Sequence, residues 1–327
     1  MGKVVTMGEA LIVLDPEQSG PLGQVDTFRR RLGGAEVNVA VGLARLGSNV
    51  EWFGRLGDDP FGQWIFRYLR GEGIDVNNVQ FDPQKPTGLY VKERRMPEQI
   101  NSYYYRSLSA ASFLSPQLIR DGIFKDAIWL HLTGITPALS DSCRDATFEI
   151  AQRAQRKGIK ITFDPNLRLK LWSAKEAKDT ITELASLATI VLPGLDEGIA
   201  LWGEDFGWDK SWPEDLAAEK LGRLLLSFGP EMVVVKLGER GVLLVEGEQS
   251  TFLPAFSVSH PVDTVGAGDG FAAGLLYGLM ESKNIKEAIQ IGQAVASCVV
   301  SSPGDLEGLP TLRELELFLG RREGVER

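Results

Sequence analysis

Cysteine and histidine are scarce in this chain, and long apolar runs and long blocks of one charge are missing. The 327 residues include two cysteines, Cys143 and Cys298, and two histidines, His131 and His260. Two distant cysteines form no CxxC pattern and no disulfide framework, and with so few histidines a zinc or other His-based metal centre is not expected. No stretch approaches the roughly 20 apolar residues that span a bilayer. The segment Met1-Gly2-Lys3-Val4-Val5 lacks the apolar core of a secretory signal, so the chain reads as cytoplasmic and reduced. Lys and Arg total 35 against 44 Asp and Glu, a formal charge of −9. That balance speaks against generic binding to nucleic acid or to an anionic membrane, so an anionic ligand has to be held by local groups.

What is present alternates. Short Val- and Ile-rich runs at Val4 to Met7, Ile128 to Leu132, Ile159 to Phe163, Thr189 to Leu192 and Met232 to Lys236 read as buried strands. Between them lie helical patterns, such as Val37, Ala40, Val41 and Ala44 closed by Gly47, and a helix opened by the cap Asp59-Pro60. Strand and helix in alternation predict a mainly parallel sheet with helices on both faces, formed by residues 1–327 as one α/β domain.

One region departs from the alternation. Thr87 to Arg94 and Ile100 to Arg106 read as a hairpin around Met96-Pro97-Glu98-Gln99, with Tyr104 and Arg106 on one face and Tyr103 and Tyr105 on the other. With Leu11 to Asp15 and Phe28 to Leu32 it predicts a small separate sheet, its strands drawn from about 11–32 and 87–108. In a phosphoryl-transfer enzyme such a sheet is a lid that excludes water. Arg94 and Arg95 read as unpaired surface arginines.

The most telling run is Asp263-Thr264-Val265-Gly266-Ala267-Gly268-Asp269-Gly270-Phe271, followed by Ala272, Leu275, Leu276 and Leu279 at helical spacing. A glycine-rich turn that opens a helix offers unpaired N–H groups and the positive end of the dipole to an anion. Asp269 inside it would repel a resting phosphate, so it makes more sense as a proton acceptor than as a binder; the combination points to phosphoryl transfer. The plainer alternative is a strand-to-helix turn with Asp269 as its cap. Upstream, Gly33-Gly34-Ala35-Glu36-Val37-Asn38 puts two glycines before a helix and Asn38 in its first turn. That suits close backbone approach to a hydroxylated substrate, or only a loop with Asn38 facing water.

Gly33 to Ala40, then Gly54-Arg55-Leu56-Gly57-Asp58-Asp59-Pro60-Phe61-Gly62, then Asp263 to Asp269 resemble, in order, the signature regions of the ribokinase-like sugar kinases. The resemblance covers essentially the whole chain and implies a three-layer α/β sandwich with a mainly parallel central sheet and a small β-sheet lid. It implies Asp269 as general base toward the substrate hydroxyl and the amides of Gly266, Ala267 and Gly268 as anion hole. Within the family, Tyr90, Tyr103-Tyr104-Tyr105-Arg106-Ser107 and Asp164-Pro165-Asn166-Leu167-Arg168 resemble the kinases of 2-keto-3-deoxygluconate. In those kinases the positions of Gly34, Asn38, Tyr90, Tyr104, Arg106, Arg168 and Asp305 line the substrate pocket; Arg106 and Arg168 are suited to the carboxylate of a sugar acid. Phosphorylation of the C6 hydroxyl by ATP is the implied reaction. A kinase of fructose, ribose or another sugar acid, and a sugar-sensing protein without turnover, stand as alternatives.

For ATP the resemblance implies Asn166, Arg168, the turn Lys236-Leu237-Gly238-Glu239-Arg240-Gly241, the amides of Gly266 to Gly268, and Gln293 near the adenine, without a Walker pattern. Magnesium would accompany the nucleotide, with Glu197 acting through water. The family's Asn-x-x-Glu departs here to Gly194-Leu195-Asp196-Glu197. A potassium site near Asp263 and Val265, and a homo-oligomer formed through the lid, are also implied.

Overall fold

A computed structural model describes residues 2–96 and 99–321. Chain order is β1 (Lys3–Met7), β2 (Leu11–Pro16), β3 (Phe28–Gly33), α1 (Ala35–Arg45), β4 (Val50–Phe53), β5 (Arg55–Gly57), α2 (Pro60–Gly71), β6 (Gln80–Asp82), β7 (Leu89–Met96), β8 (Gln99–Tyr105) and β9 (Ala127–Thr133). It continues with α3 (Asp141–Arg156), β10 (Lys160–Asp164), α4 (Ala174–Leu187), β11 (Ile190–Val191), α5 (Leu195–Trp202), α6 (Glu214–Leu226), β12 (Met232–Lys236), β13 (Gly241–Glu246), β14 (Gln249–Pro254), α7 (Ala267–Met280), α8 (Ile285–Val300) and α9 (Leu312–Phe318). Among the described residues no helix is long and apolar enough to cross a membrane.

Eight strands form the central sheet in the order β14-β13-β12-β11-β10-β9-β1-β4. The run from β12 to β4 is parallel, and β13 and β14 add an antiparallel edge. The predicted sheet is borne out, with ends shifted by a residue or two. The apolar strands feed both faces, as buried parallel strands do. In β12, Val234 enters one core with α1, α2, α7 and α8, while Val233 and Val235 enter the other with α3 to α6. Three layers result. Each fully buried Val or Leu contributes about 1.5–3 kcal/mol through removal from water.

Helix ends follow the sequence signals. Asp59 accepts from Gly62 N–H at 2.8 Å with Pro60 in the first turn, and Gly47 (φ 87°) closes α1. The small sheet is four-stranded, ordered β3-β2-β7-β8, and β7 and β8 are antiparallel with Tyr90 opposite Tyr104. Pro97 and Glu98 of the predicted turn lie outside the described residues. The two arginines expected to be unpaired are not: Arg94 bonds Asp15 on the neighbouring β2 at 3.1 Å, and Arg95 pairs with Glu93 at 3.3 Å. Both partners are buried carboxylates, which require counter-charge.

Candidate active site

In an open α/β sheet, ligands bind beyond the carboxyl ends of the strands. Here β1 delivers Glu9, β10 delivers Asp164 and Asn166, β11 leads to Gly194 and Glu197, and β12 ends in Lys236. The turn into α7 faces the same end.

Gly266 is the N-cap of α7, held at φ 80°, so Ala267, Gly268 and Asp269 occupy the first turn, where amides lack intrahelical acceptors. The carbonyl of Asp305 would lie 2.5 Å from a Cβ on Gly266, which with the positive φ leaves only glycine there. The Ala267 N–H leans to the Thr264 carbonyl at a long 3.3 Å. Asp269 is not the cap. Its Oδ2 accepts from Asn38 Nδ2 at 2.7 Å, and Asn38 is 3% exposed instead of facing water. Burial, with nearby Asp164 adding to it, pushes the Asp269 carboxyl up to about 7, against the opposing pull of Asn38, Lys236 and Arg168.

Lys236 reaches this turn. Its ammonium lies 3.5 Å from where a Cβ on Gly268 would sit, and it bonds Asp164 Oδ2 at 2.6 Å. Burial works against its charge, yet Asp164, Glu197 and Asp269 hold its pKa above the usual lysine value. Since β11 is only two residues long, side chains from the ends of β10 and β12 meet across it. Burial raises the Glu197 carboxyl; it accepts from Gly194 N–H at 3.2 Å. Gly194 has no side chain to return that bond, and a Cβ there would meet Glu197 at a comfortable 3.5 Å, so packing does not force the departure from asparagine. Gly194, Glu197, Lys236, Gly238 and Arg240 line a groove of about 450 Å³. A groove of about 560 Å³ beside Trp202 and Phe228 contains none of the predicted site residues.

The substrate candidates gather around the paired glycines. Gly34 has φ 133°, and a Cβ on it would come within 2.3 Å of the Glu9 carbonyl, so the Glu9 backbone packs against the start of α1. The buried Glu9 carboxylate accepts from Ser109 Oγ at 3.0 Å and ion-pairs with Arg106, whose Nε is left without a partner. Arg106 also lies 5.4 Å from the centre of the Tyr104 ring, which stacks on Tyr90 at 5.0 Å. Tyr90 donates to Asp305 Oδ2 at 3.0 Å, and Lys92 bonds Asp305 Oδ1 at 2.9 Å.

Other predicted positions fall as follows. Arg168 is exposed, donates to the Leu167 carbonyl at 3.0 Å, and forms no ion pair among the described residues. Asn166 is buried at φ 39°, its N–H on Asp164 Oδ1. Gly238 (φ 58°) and Gly241 (φ 125°) shape the β12–β13 turn. Gln293 is buried, its amide donating to the Leu253 carbonyl at 2.8 Å and its Oε1 unpartnered. The Asp263 carboxylate accepts the N–H of Val265 at 3.0 Å and of Gly304 at 3.4 Å. Among the described residues no three His, Cys, Asp or Glu side chains gather as a metal site. Asp164, Glu9 and Lys92 were not singled out from sequence. For Asp164 a signal existed, its place at the carboxyl end of a central strand, and for Lys92 its period-two spacing from Tyr90.

A helix N-terminus carrying a half-buried aspartate, beside a half-buried lysine and under a small second sheet, defines a sugar-kinase type of phosphotransferase on a ribokinase-like fold. The chain belongs to the pfkB family of carbohydrate kinases, whose family profile matches residues 1–312. It is 39% identical to the 2-dehydro-3-deoxygluconokinase of Bacillus subtilis (strain 168), over 98% of this chain and 96% of that protein. It is 31% identical to the 5-dehydro-2-deoxygluconokinase of Shouchella clausii (strain KSM-K16), over 97% and 95%. The crystal structure of a PfkB protein from Polaromonas sp. JS666 superposes with a TM-score of 0.85 at 34% identity, over 97% of this chain and 99% of that one. A Vibrio cholerae O395 fructokinase variant bound to fructose, ADP and potassium gives 0.84 at 28%, over 98% of each.

Proposed function

We propose that the protein transfers the γ-phosphoryl group of ATP to the C6 hydroxyl of 2-keto-3-deoxygluconate (2-dehydro-3-deoxygluconate), yielding the 6-phosphate and ADP. The observation that carries this is the placement of Asp269 in the first turn of α7, aimed by Asn38, where burial pushes its carboxyl up to about 7. A base poised near working pH takes the hydroxyl proton as the substrate oxygen bonds to phosphorus and the bond to the ADP oxygen breaks. The Gly266, Ala267 and Gly268 amides and the Lys236 ammonium take up charge on the transferring oxygens. The turn with Gly238 and Gly241, together with Asn166, Arg168 and Gln293, is assigned to the nucleotide.

Magnesium carried by the ATP phosphates supplies further charge neutralisation when bound. Asp164 and Glu197 are the carboxylates at the phosphate end, and two of them beside a lysine suit an ion that keeps most of its water. A potassium ion near Asp263 and Val265 is a finer assignment; both Asp263 oxygens already accept backbone N–H groups.

At the sugar end, Arg106 offers its free Nε and Arg168 an uncommitted guanidinium to the substrate carboxylate. Gly34, Asn38, Tyr90, Tyr104 and Asp305 take the hydroxyl groups. The small sheet closes over them as a lid that keeps water from ATP. Its outer strand β8 exposes Tyr103, Tyr104 and Tyr105 at 45%, 44% and 64%, an edge suited to pairing with a second subunit. The protein is assigned to the cytoplasm, where ATP is available. The 31% relative supports a second reading, the isomeric 5-keto-2-deoxy acid as substrate. Product analysis tests the main one. Incubation with ATP, Mg²⁺ and 2-keto-3-deoxygluconate should give one phosphate ester whose phosphorus couples to the C6 protons; an ester elsewhere, or none, would refute it.

A further inference from the structure

Lys92 has no part in the reaction above, yet its ammonium is among the most deeply buried charges in the molecule. The residue is 2% exposed, lies on β7 of the small sheet, and bonds Asp305 Oδ1 at 2.9 Å, with Tyr90 of the same strand on Oδ2. Two residues apart on a strand, Tyr90 and Lys92 share a face, so β7 grips one carboxylate with two donors. Asp305 stands in a loop that touches the phosphate site directly, because its carbonyl closes over Gly266 at the spot a Cβ would occupy. The same loop is tied to that turn again through Asp263, whose carboxylate bridges Val265 N–H and Gly304 N–H. A third tie runs from the small sheet, where Arg31 on β3 pairs with Glu307 and, at 2.9 Å, with Asp15 on β2.

The segment from Gly304 to Glu307 is therefore held by strands of the small sheet on one side and rests on the anion-hole turn on the other. A buried ion pair cannot slacken into water as a surface pair can, so sheet and loop are fixed relative to each other. We propose that Lys92 is a positioning residue: through Asp305 it latches the small sheet to the Gly266 turn, so that the amides of Gly266 to Asp269 are set in place only when the lid strand is seated. This rests on the kinase reading for its kinetic consequence but not for its structural one.

The test uses the full chain with Lys92→Met, and with Lys92→Met/Asp305→Asn, which leaves no unpaired buried charge should the single variant fail to fold. The structural readout is amide hydrogen exchange in peptides covering 264–269 and 304–307. Both variants should exchange faster there, by tenfold or more, while peptides from α3 and α4 on the far face stay at native rates. The kinetic readout is kcat, expected to fall about 100-fold, as for a small displacement of a reacting group, with the KM for ATP nearly unchanged. Native exchange rates in the 264–269 turn in the folded variants, or a native kcat, would overturn the latch. If the native protein phosphorylates no sugar, the kinase reading fails and the exchange comparison still decides the latch.

Discussion

Replacing Asp269 by Asn changes one oxygen for an NH₂ group and removes the proposed base while keeping the volume and the contact with Asn38. General-base catalysis by a positioned side chain contributes about 10²–10⁴-fold, so kcat should fall by that factor, while the KM values for ATP and sugar shift less than about threefold. The pH profile gives a second handle. With the carboxyl at about 7, kcat/KM of the native enzyme should rise tenfold per pH unit below 7 and level off above it, and this limb should vanish in the variant. Stability should move the other way. The folded-state pKa is raised from 3.8 to about 7, so the folded state holds this proton more tightly than the unfolded chain, and stability is lost as pH rises through that interval. At about 1.4 kcal/mol per unit, reduced because the group is half-buried, Asp269→Asn should be more stable than the native protein by about 2–4 kcal/mol above pH 7 and unchanged near pH 3. Stopped-flow or coupled assays from pH 5 to 9, paired with urea unfolding at both ends, measure all three. A kcat within threefold of native would refute the role of Asp269, and a destabilised variant at pH 8 would refute the cost assigned to its burial.

Arg106→Ala removes charge-assisted bonds of about 1.5–3 kcal/mol, so the KM of a sugar acid should rise about 10- to 150-fold while that of a neutral sugar analogue changes little. Equal effects on both would show that Arg106 does not read the carboxylate. Lys236→Met leaves Asp164 and Glu197 without their shared cation, and denaturant titration should show a loss of about 3–5 kcal/mol together with a collapse of kcat. Full stability would mean the cluster is more hydrated than its geometry indicates. Gly266→Ala puts a methyl against the Asp305 carbonyl at a positive φ and should abolish turnover in a protein whose circular dichroism keeps the α/β signature; native turnover would contradict the αL cap.

The fold was legible because strands buried on both faces have to be apolar throughout, and helix ends such as Asp59-Pro60 and Gly47 carry their own chemistry. The α7 turn was legible for a similar reason, since its glycines answer to backbone geometry over a few residues. What stayed hidden depends on partners distant in sequence. Asn38 read equally well as solvent-facing until α7 supplied Asp269 from 231 residues away. Lys236 was a candidate for the nucleotide turn, but its pairing with Asp164 depends on the shortness of β11, which lets the ends of β10 and β12 meet. Arg106 was a candidate for the substrate pocket from sequence, but its ion pair with the buried Glu9 was not visible there. Nor could local pattern show that Lys92, in a lid strand, closes on Asp305, 213 residues later.

The most direct measurement is ADP release by the native protein with ATP and Mg²⁺ across 2-keto-3-deoxygluconate, its C4 epimer, 5-keto-2-deoxygluconate, gluconate, fructose and ribose. The account predicts a kcat/KM for 2-keto-3-deoxygluconate well above that for the neutral sugars and for its isomers. A preference for fructose or ribose would contradict the carboxylate site at Arg106 and Arg168, and no turnover with any of the six would contradict the proposed reaction itself.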